Sequence, residues 1–212
     1  MGAGKMTLGP QQAPLIEYGI AALPFAGEAE SGDLHLVKPF DGGTLVAVAD
    51  GSGHGCEAAS AARIAMATLE SQADGNLITL VRGCHEQLRH TRGAVLSLAS
   101  FRGIENTVTW MGVGNVEGVL LRSDPAAEHG EELLFLRPGL LGYRLPALQT
   151  VIKPVARGDL LILTTDGING GFAGEVAIDD DLDNIADYIC SQYSKKTDDG
   201  LVLVARYLGW AK

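Results

Sequence analysis

Two aspartates stand directly before glycine at the ends of apolar runs: Asp50 after TLVAVA and Asp166 after LLILTT. A carboxylate at a strand end followed by glycine lets backbone and ligand approach closely, so carboxylate and carbonyl oxygens can share one hard cation such as Mg²⁺ or Mn²⁺. Asp198 and Asp199 precede the final apolar run LVLVARY, and Asp33, in Ser31-Gly32-Asp33, precedes a further short strand. If those strands return side by side, the carboxylates gather at one end of a sheet, where divalent cations relieve their repulsion. Any one Asp-Gly pair taken singly reads as a turn.

His54 lies in the glycine turn Asp50-Gly51-Ser52-Gly53-His54-Gly55. With an unperturbed pKa near ~6.5 it can donate a proton to a leaving group, or it is simply a polar turn residue. His35, His85, His90 and His129 have no mutual spacing suited to zinc and read as surface or packing residues. The acidic run Asp179-Asp180-Asp181 with Asp183 lacks the glycine and closing glutamate of a calcium loop and reads as a solvated helix start.

The elements that must position these side chains follow from the pattern. Residues 44–49 form a strand, 57–70 an alanine-rich helix, and a second helix capped by Asp74 or Asn76 runs through Leu88 to end near Gly93. From Ala94 the runs AVLSLASF, NTVTWMGV and VEGVLLR predict an antiparallel meander. Further strands are expected at 133–136, 147–152 and 160–165, a helix over 179–193, and a closing strand over 201–208. Helices grouped between runs of antiparallel strands imply an α+β layered sandwich rather than a doubly wound parallel sheet.

A chain of 212 residues can form one domain, and its 46% hydrophobic and 20% charged content is that of a folded protein. The formal net charge of -10 argues against nucleic acid or an anionic membrane as partner. Neither a signal-peptide core nor a membrane span is expected. Cys56, Cys84 and Cys190 are far apart and read as reduced thiols in cytoplasm, with Cys56 expected to be buried. Residues 1–14 are expected to be a flexible segment before a single catalytic domain at 15–212.

Taken together, SGD at 31–33, VADGSGHG at 48–55, TTDG at 164–167 and TDD at 197–199 resemble the PPM metal-dependent phosphatases, in their bacterial SpoIIE-like branch. RGAVLSLASF at 92–101 and GVGNVEGVLLR at 112–122 are similar, more narrowly, to the stressosome feedback phosphatases. The resemblance spans roughly 28–208 and implies a bare catalytic domain with the family's four-layer αββα sandwich. It also implies two divalent cations, Mn²⁺ or Mg²⁺, with Asp50 bridging them, the Gly51 carbonyl completing one site, and Asp166 and Asp198 holding the other ion. Asp33 and Asp199 would lie behind these, Asp33 ordering metal-bound water.

The activity implied is hydrolysis of phosphoserine or phosphothreonine by a metal-activated water. The implied substrates are phosphorylated STAS-domain stressosome proteins, dephosphorylated in the cytoplasm by a monomer as negative feedback on stress signalling. Asn115 stands where many members carry an aspartate, and no arginine matches the phosphate-gripping arginine of eukaryotic members. A third cation should therefore bind weakly. Two other classes remain open: an ATP-binding module of the anti-sigma kinase type, which would need an asparagine-bearing helix not found here, and a catalytically silent docking domain.

Overall fold

In β3 (Gly43–Gly51) every residue from Gly43 to Ala49 is buried, because both faces of the strand are covered and its apolar run is continuous rather than alternating. The computed structural model describes residues 14–25, 27, 30–124 and 130–210. β3 is flanked by β2 (Asp33–Phe40) and β4 (Ala94–Arg102), both antiparallel to it. β5 (Thr107–Val113) follows β4. Its outer edge is shared by β9 (Val151–Pro154), antiparallel, and β8 (Leu136–Arg137), parallel.

A second sheet has the order β1 (Ile16–Leu23), β11 (Gly200–Tyr207), β10 (Leu160–Thr164), β6 (Glu117–Leu121) and β7 (Glu131–Leu133), with all neighbours antiparallel. Period-two alternation sorts its side chains between two cores. Leu161, Leu163 and Leu203 join Leu45, Leu98 and Trp110 in one cluster, which reaches Ala61, Ala65 and Leu69 of the first helix. Ile162, Val202 and Val204 join Ile185 and Ile189 in the other, beneath the last helix.

The layers are completed by α1 (Cys56–Glu70) and α2 (Leu77–Gln87) on the first sheet and α3 (Leu182–Tyr193) on the second, giving the expected αββα sandwich. Buried alanines at 58, 59, 61, 62 and 65 let α1 lie close to β3. Caps set the other helix starts: Asn76 accepts hydrogen bonds from the Ile78 and Thr79 amides, and Asp181 from those of Asp183 and Asn184. The acidic run at 179–183 is thus a helix start.

Several expectations are corrected. The three strands after Ala94 are not one meander, because β6 leaves β5 and pairs with β10 in the other sheet. The exit is Gly114, at φ 104°, where a Cβ would stand 2.2 Å from a Val95 methyl. The second sheet of the sandwich is antiparallel throughout, but the β5 and β8 contact makes the first one mixed. α2 stops at Gln87, where the Thr91 hydroxyl donates to the Leu88 carbonyl and accepts from the Gly93 amide in a tight turn. β1 was not anticipated, and β9 begins at Val151 rather than 147. Cys56 is exposed, being the first residue of α1, whereas Cys84 and Cys190 are buried. Apart from Pro14, the segment 1–14 lies outside the described residues, as does His129. Among the described residues no helix is long and apolar enough to cross a membrane.

Candidate active site

The ends of β2, β3, β10 and β11 meet at one edge of the sandwich, and each brings a carboxylate. Asp33 and Asp50 are register partners across β2 and β3, so the two carboxylates project on the same face of the sheet. Asp50 is held there by its successor: the Gly51 amide donates to the Gly32 carbonyl at 3.0 Å, and a Cβ on Gly51 would stand 2.0 Å from the Ala58 carbonyl oxygen. Only glycine lets the first turn of α1 stand against the strand end.

A cleft of about 390 Å³ opens at this edge, and Asp50, His54, Asn115, Asp166 and Asp198 all line it. Phe25, Ser52, Val95, Leu140 and Thr197 also line it and had not been singled out. The Phe25 and His54 rings lie 5.9 Å apart. Asn115 donates from Nδ2 to Asp166 Oδ2 at 2.7 Å, so the bend that carries it is tied to a neighbouring carboxylate.

Asp33, Gly51 and Asp199 are buried behind the cleft. Asp199 is consumed by the backbone, accepting from the Phe25 and Gly32 amides at 2.8 Å each. The exposed Asp198 accepts from the Asp199 amide at 2.9 Å. The adjacent aspartates therefore divide the work: one ties Phe25 and Gly32 to the start of β11 and the other faces the cleft.

Burial pushes the Asp33 carboxyl up to about 7, assisted by the charges of Asp199, Asp166 and Asp198 and opposed by a hydrogen bond from Thr165. Burial likewise raises Asp50 to about 8, with Asp33, Asp166, Asp198 and Asp199 adding repulsion. Carboxyls that resist ionising near neutrality signal an environment short of positive charge. Divalent cations fit that deficit, and the donor set is the hard oxygen type they prefer. Among the described residues no three His, Cys, Asp or Glu side chains are grouped closely enough to hold a metal ion by themselves.

Thr165 is the residue that sequence reasoning missed. Its buried hydroxyl donates to Asp33 Oδ2 at 2.6 Å and accepts from the Leu201 amide at 2.8 Å, bridging the two sheets beneath the cleft. Thr165→Val should destabilise the protein by about 1–3 kcal/mol, because it orphans a buried amide. Loss of the bond that favours ionised Asp33 should also shift the pH dependence of Mn²⁺ binding upward, with Thr165→Ser restoring it. Calorimetric titration across pH checks this; an unmoved profile would remove Thr165 from the site.

The family model described as Stage II sporulation protein E (SpoIIE) matches residues 41–207, which include Asp50, Asp166 and Asp198. The phosphoserine phosphatase RsbX of Bacillus subtilis (strain 168) is 27% identical over 143 residues, covering 68% of this chain and 70% of that protein. A chain solved in work on the bacterial stressosome, described as a modular system adapted to control secondary messenger signaling, superposes with a TM-score of 0.81 at 34% identity, covering 90% of this chain and 99% of that one. RsbX in complex with magnesium superposes with the same score at 22% identity, covering 91% and 95%. The chain belongs to the SpoIIE family of PPM-type phosphatases, which are metal-dependent protein serine/threonine phosphatases.

Proposed function

We propose that Asp50, the Gly51 carbonyl, Asp166 and Asp198 hold two divalent cations, Mn²⁺ or Mg²⁺, and that the enzyme dephosphorylates phosphoserine or phosphothreonine on STAS-domain stressosome proteins. The observation that carries this reading is the half-buried carboxylate cluster at the cleft, with Asp33 and Asp50 raised to about 7 and 8. When bound, such a pair of ions supplies Lewis acidity toward phosphoryl oxygens and lowers the pKa of water. The chain's own residues orient the site: Asn115 sets Asp166, Thr165 sets Asp33, and Asp199 anchors the segment carrying Phe25. His54 lines the same cleft and is the side chain suited to protonate the departing oxygen. Asn115 brings an amide donor instead of a further charge, so two ions suffice and a third binds weakly.

The substrate assignment draws on the kinship with RsbX and with a stressosome structure, and on the form of the cleft. It is open, with Asp50, Asp166 and Asp198 in its wall, which suits a phosphorylated side chain presented by a folded protein better than an enclosed metabolite. Activity of this kind would act as negative feedback on stress signalling. The test is phosphate release from a kinase-treated STAS-domain scaffold protein with Mn²⁺ and with chelator. Release should require the metal, and p-nitrophenyl phosphate should be a much poorer substrate. A free phosphorylated metabolite with kcat/KM far above every phosphorylated scaffold protein tried would overturn the substrate assignment.

A further inference from the structure

A strongly acidic cleft on a chain of net charge -10 repels any phosphorylated protein that approaches it, so positive charge beside the cleft carries weight. Arg92 stands there. Its Nη1 lies against Gly53, where a Cβ would be 2.8 Å away, and Gly53 lines the cleft. The turn that carries it is rigid: the Ser52 amide donates to the Gly93 carbonyl at 2.9 Å, and Gly93 sits at φ 80°.

On the other side of Gly93 stands Tyr143. A Cβ on Gly93 would lie 3.2 Å from the tyrosine Cδ2 and 3.1 Å from Leu140 Cγ, and Leu140 lines the cleft. Tyr143 is 67% exposed. Arg92 and Tyr143 thus form one ridge, each next to a residue of the cleft wall. A cation and a large exposed aromatic on either side of one glycine are the side-chain types that dominate protein recognition. Arg92 pairs with Glu57 of α1, and both side chains are at least half exposed. An ion pair in that setting contributes little and exchanges readily for another carboxylate.

We infer that the ridge of Arg92 and Tyr143 is the docking contact for the polypeptide flanking the phosphorylated residue, with Arg92 taking an acidic side chain of that segment and Tyr143 an apolar one. The inference rests on the proposed protein phosphatase reading and extends it to recognition. Arg92 is beside the cleft rather than among its lining residues, and its assigned role is toward the flanking chain.

The experiment compares wild type, Arg92→Ala, Arg92→Lys and Tyr143→Ala in the full chain, using the phosphorylated STAS-domain scaffold protein and p-nitrophenyl phosphate with Mn²⁺. Arg92→Ala and Tyr143→Ala should each raise KM for the phosphoprotein about tenfold. Turnover number should hold within about twofold, and kcat/KM for the small ester should be unaltered within the same margin. Arg92→Lys should recover part of the loss. Equal losses on both substrates would show that the ridge supports the site rather than docking. An unchanged KM for the phosphoprotein would remove the ridge from recognition while leaving the phosphatase reading intact. A wild type that hydrolyses the small ester but not the phosphoprotein would overturn both.

Discussion

Asp50→Asn is expected to lower metal-dependent phosphate release by at least about a thousandfold while leaving the fold intact. Asparagine matches the shape of the carboxylate but removes the charge at the centre of the acidic cluster. Its effect on stability has the opposite sign in metal-free buffer. Asp33 and Asp50 have folded-state values of about 7 and 8, above the 3.8 of a free aspartate that describes the unfolded chain. The native state therefore binds more protons than the unfolded state between about pH 4 and pH 8.

By linkage, metal-free stability must fall as pH rises through that window. Asp50→Asn removes one of the two groups responsible and relieves the other. Melting in chelator at pH 6 and pH 9 should therefore show a marked drop for the wild type and a smaller one for the variant, which should be the more stable of the two at pH 9. Bound Mn²⁺ should restore the wild type at high pH and do little for the variant. A folded Asp50→Asn enzyme with full activity would falsify the bridging assignment.

Asp198 and Asp199 should behave as opposites despite being neighbours. Asp199→Ala strips the Phe25 and Gly32 amides of their partner in a buried setting, which should cost about 2–5 kcal/mol and loosen the segment that leads into Asp33. Asp198→Asn leaves those bonds in place. It should change stability by less than about 1 kcal/mol yet weaken Mn²⁺ binding at least about tenfold. Chemical denaturation and metal titration of both variants separate the roles, and the account fails if Asp198→Asn proves the more destabilising.

Much of this site is legible in the sequence because its carboxylates sit where strands stop. The runs before Asp50 and Asp166 and after Asp199 are continuous and apolar, and a strand buried on both faces must leave its polar end at an edge. Which strands lie side by side is less accessible. β6 is equally apolar in either sheet, and it is the left-handed Gly114, pressed against Val95, that sends it away from β5. β1 was hidden because IEYGIAAL mixes both periods, its Gly19 serving to let the start of α3 approach within 2.3 Å of where a Cβ would be.

The division between Asp198 and Asp199 turns on strand parity and on partners 167 and 174 residues away, which spacing alone does not show. Thr165 did carry a signal. Leu161 and Leu163 point between the sheets, so period two places Thr165 on that same buried face, where a hydroxyl must find partners. In a run of β-formers it reads instead as one more strand residue.

The central claim is that this acidic edge holds two divalent cations on which hydrolysis depends. Its most direct measurement is calorimetric titration of the chelator-treated protein with Mn²⁺ at pH 8, paired with phosphate release at each point. Two ions should bind per chain, partial proton release should accompany them because Asp50, raised to about 8, still holds part of its proton at that pH, and activity should rise with occupancy. Phosphate release at its full rate in chelator, with no ion bound, would contradict the account.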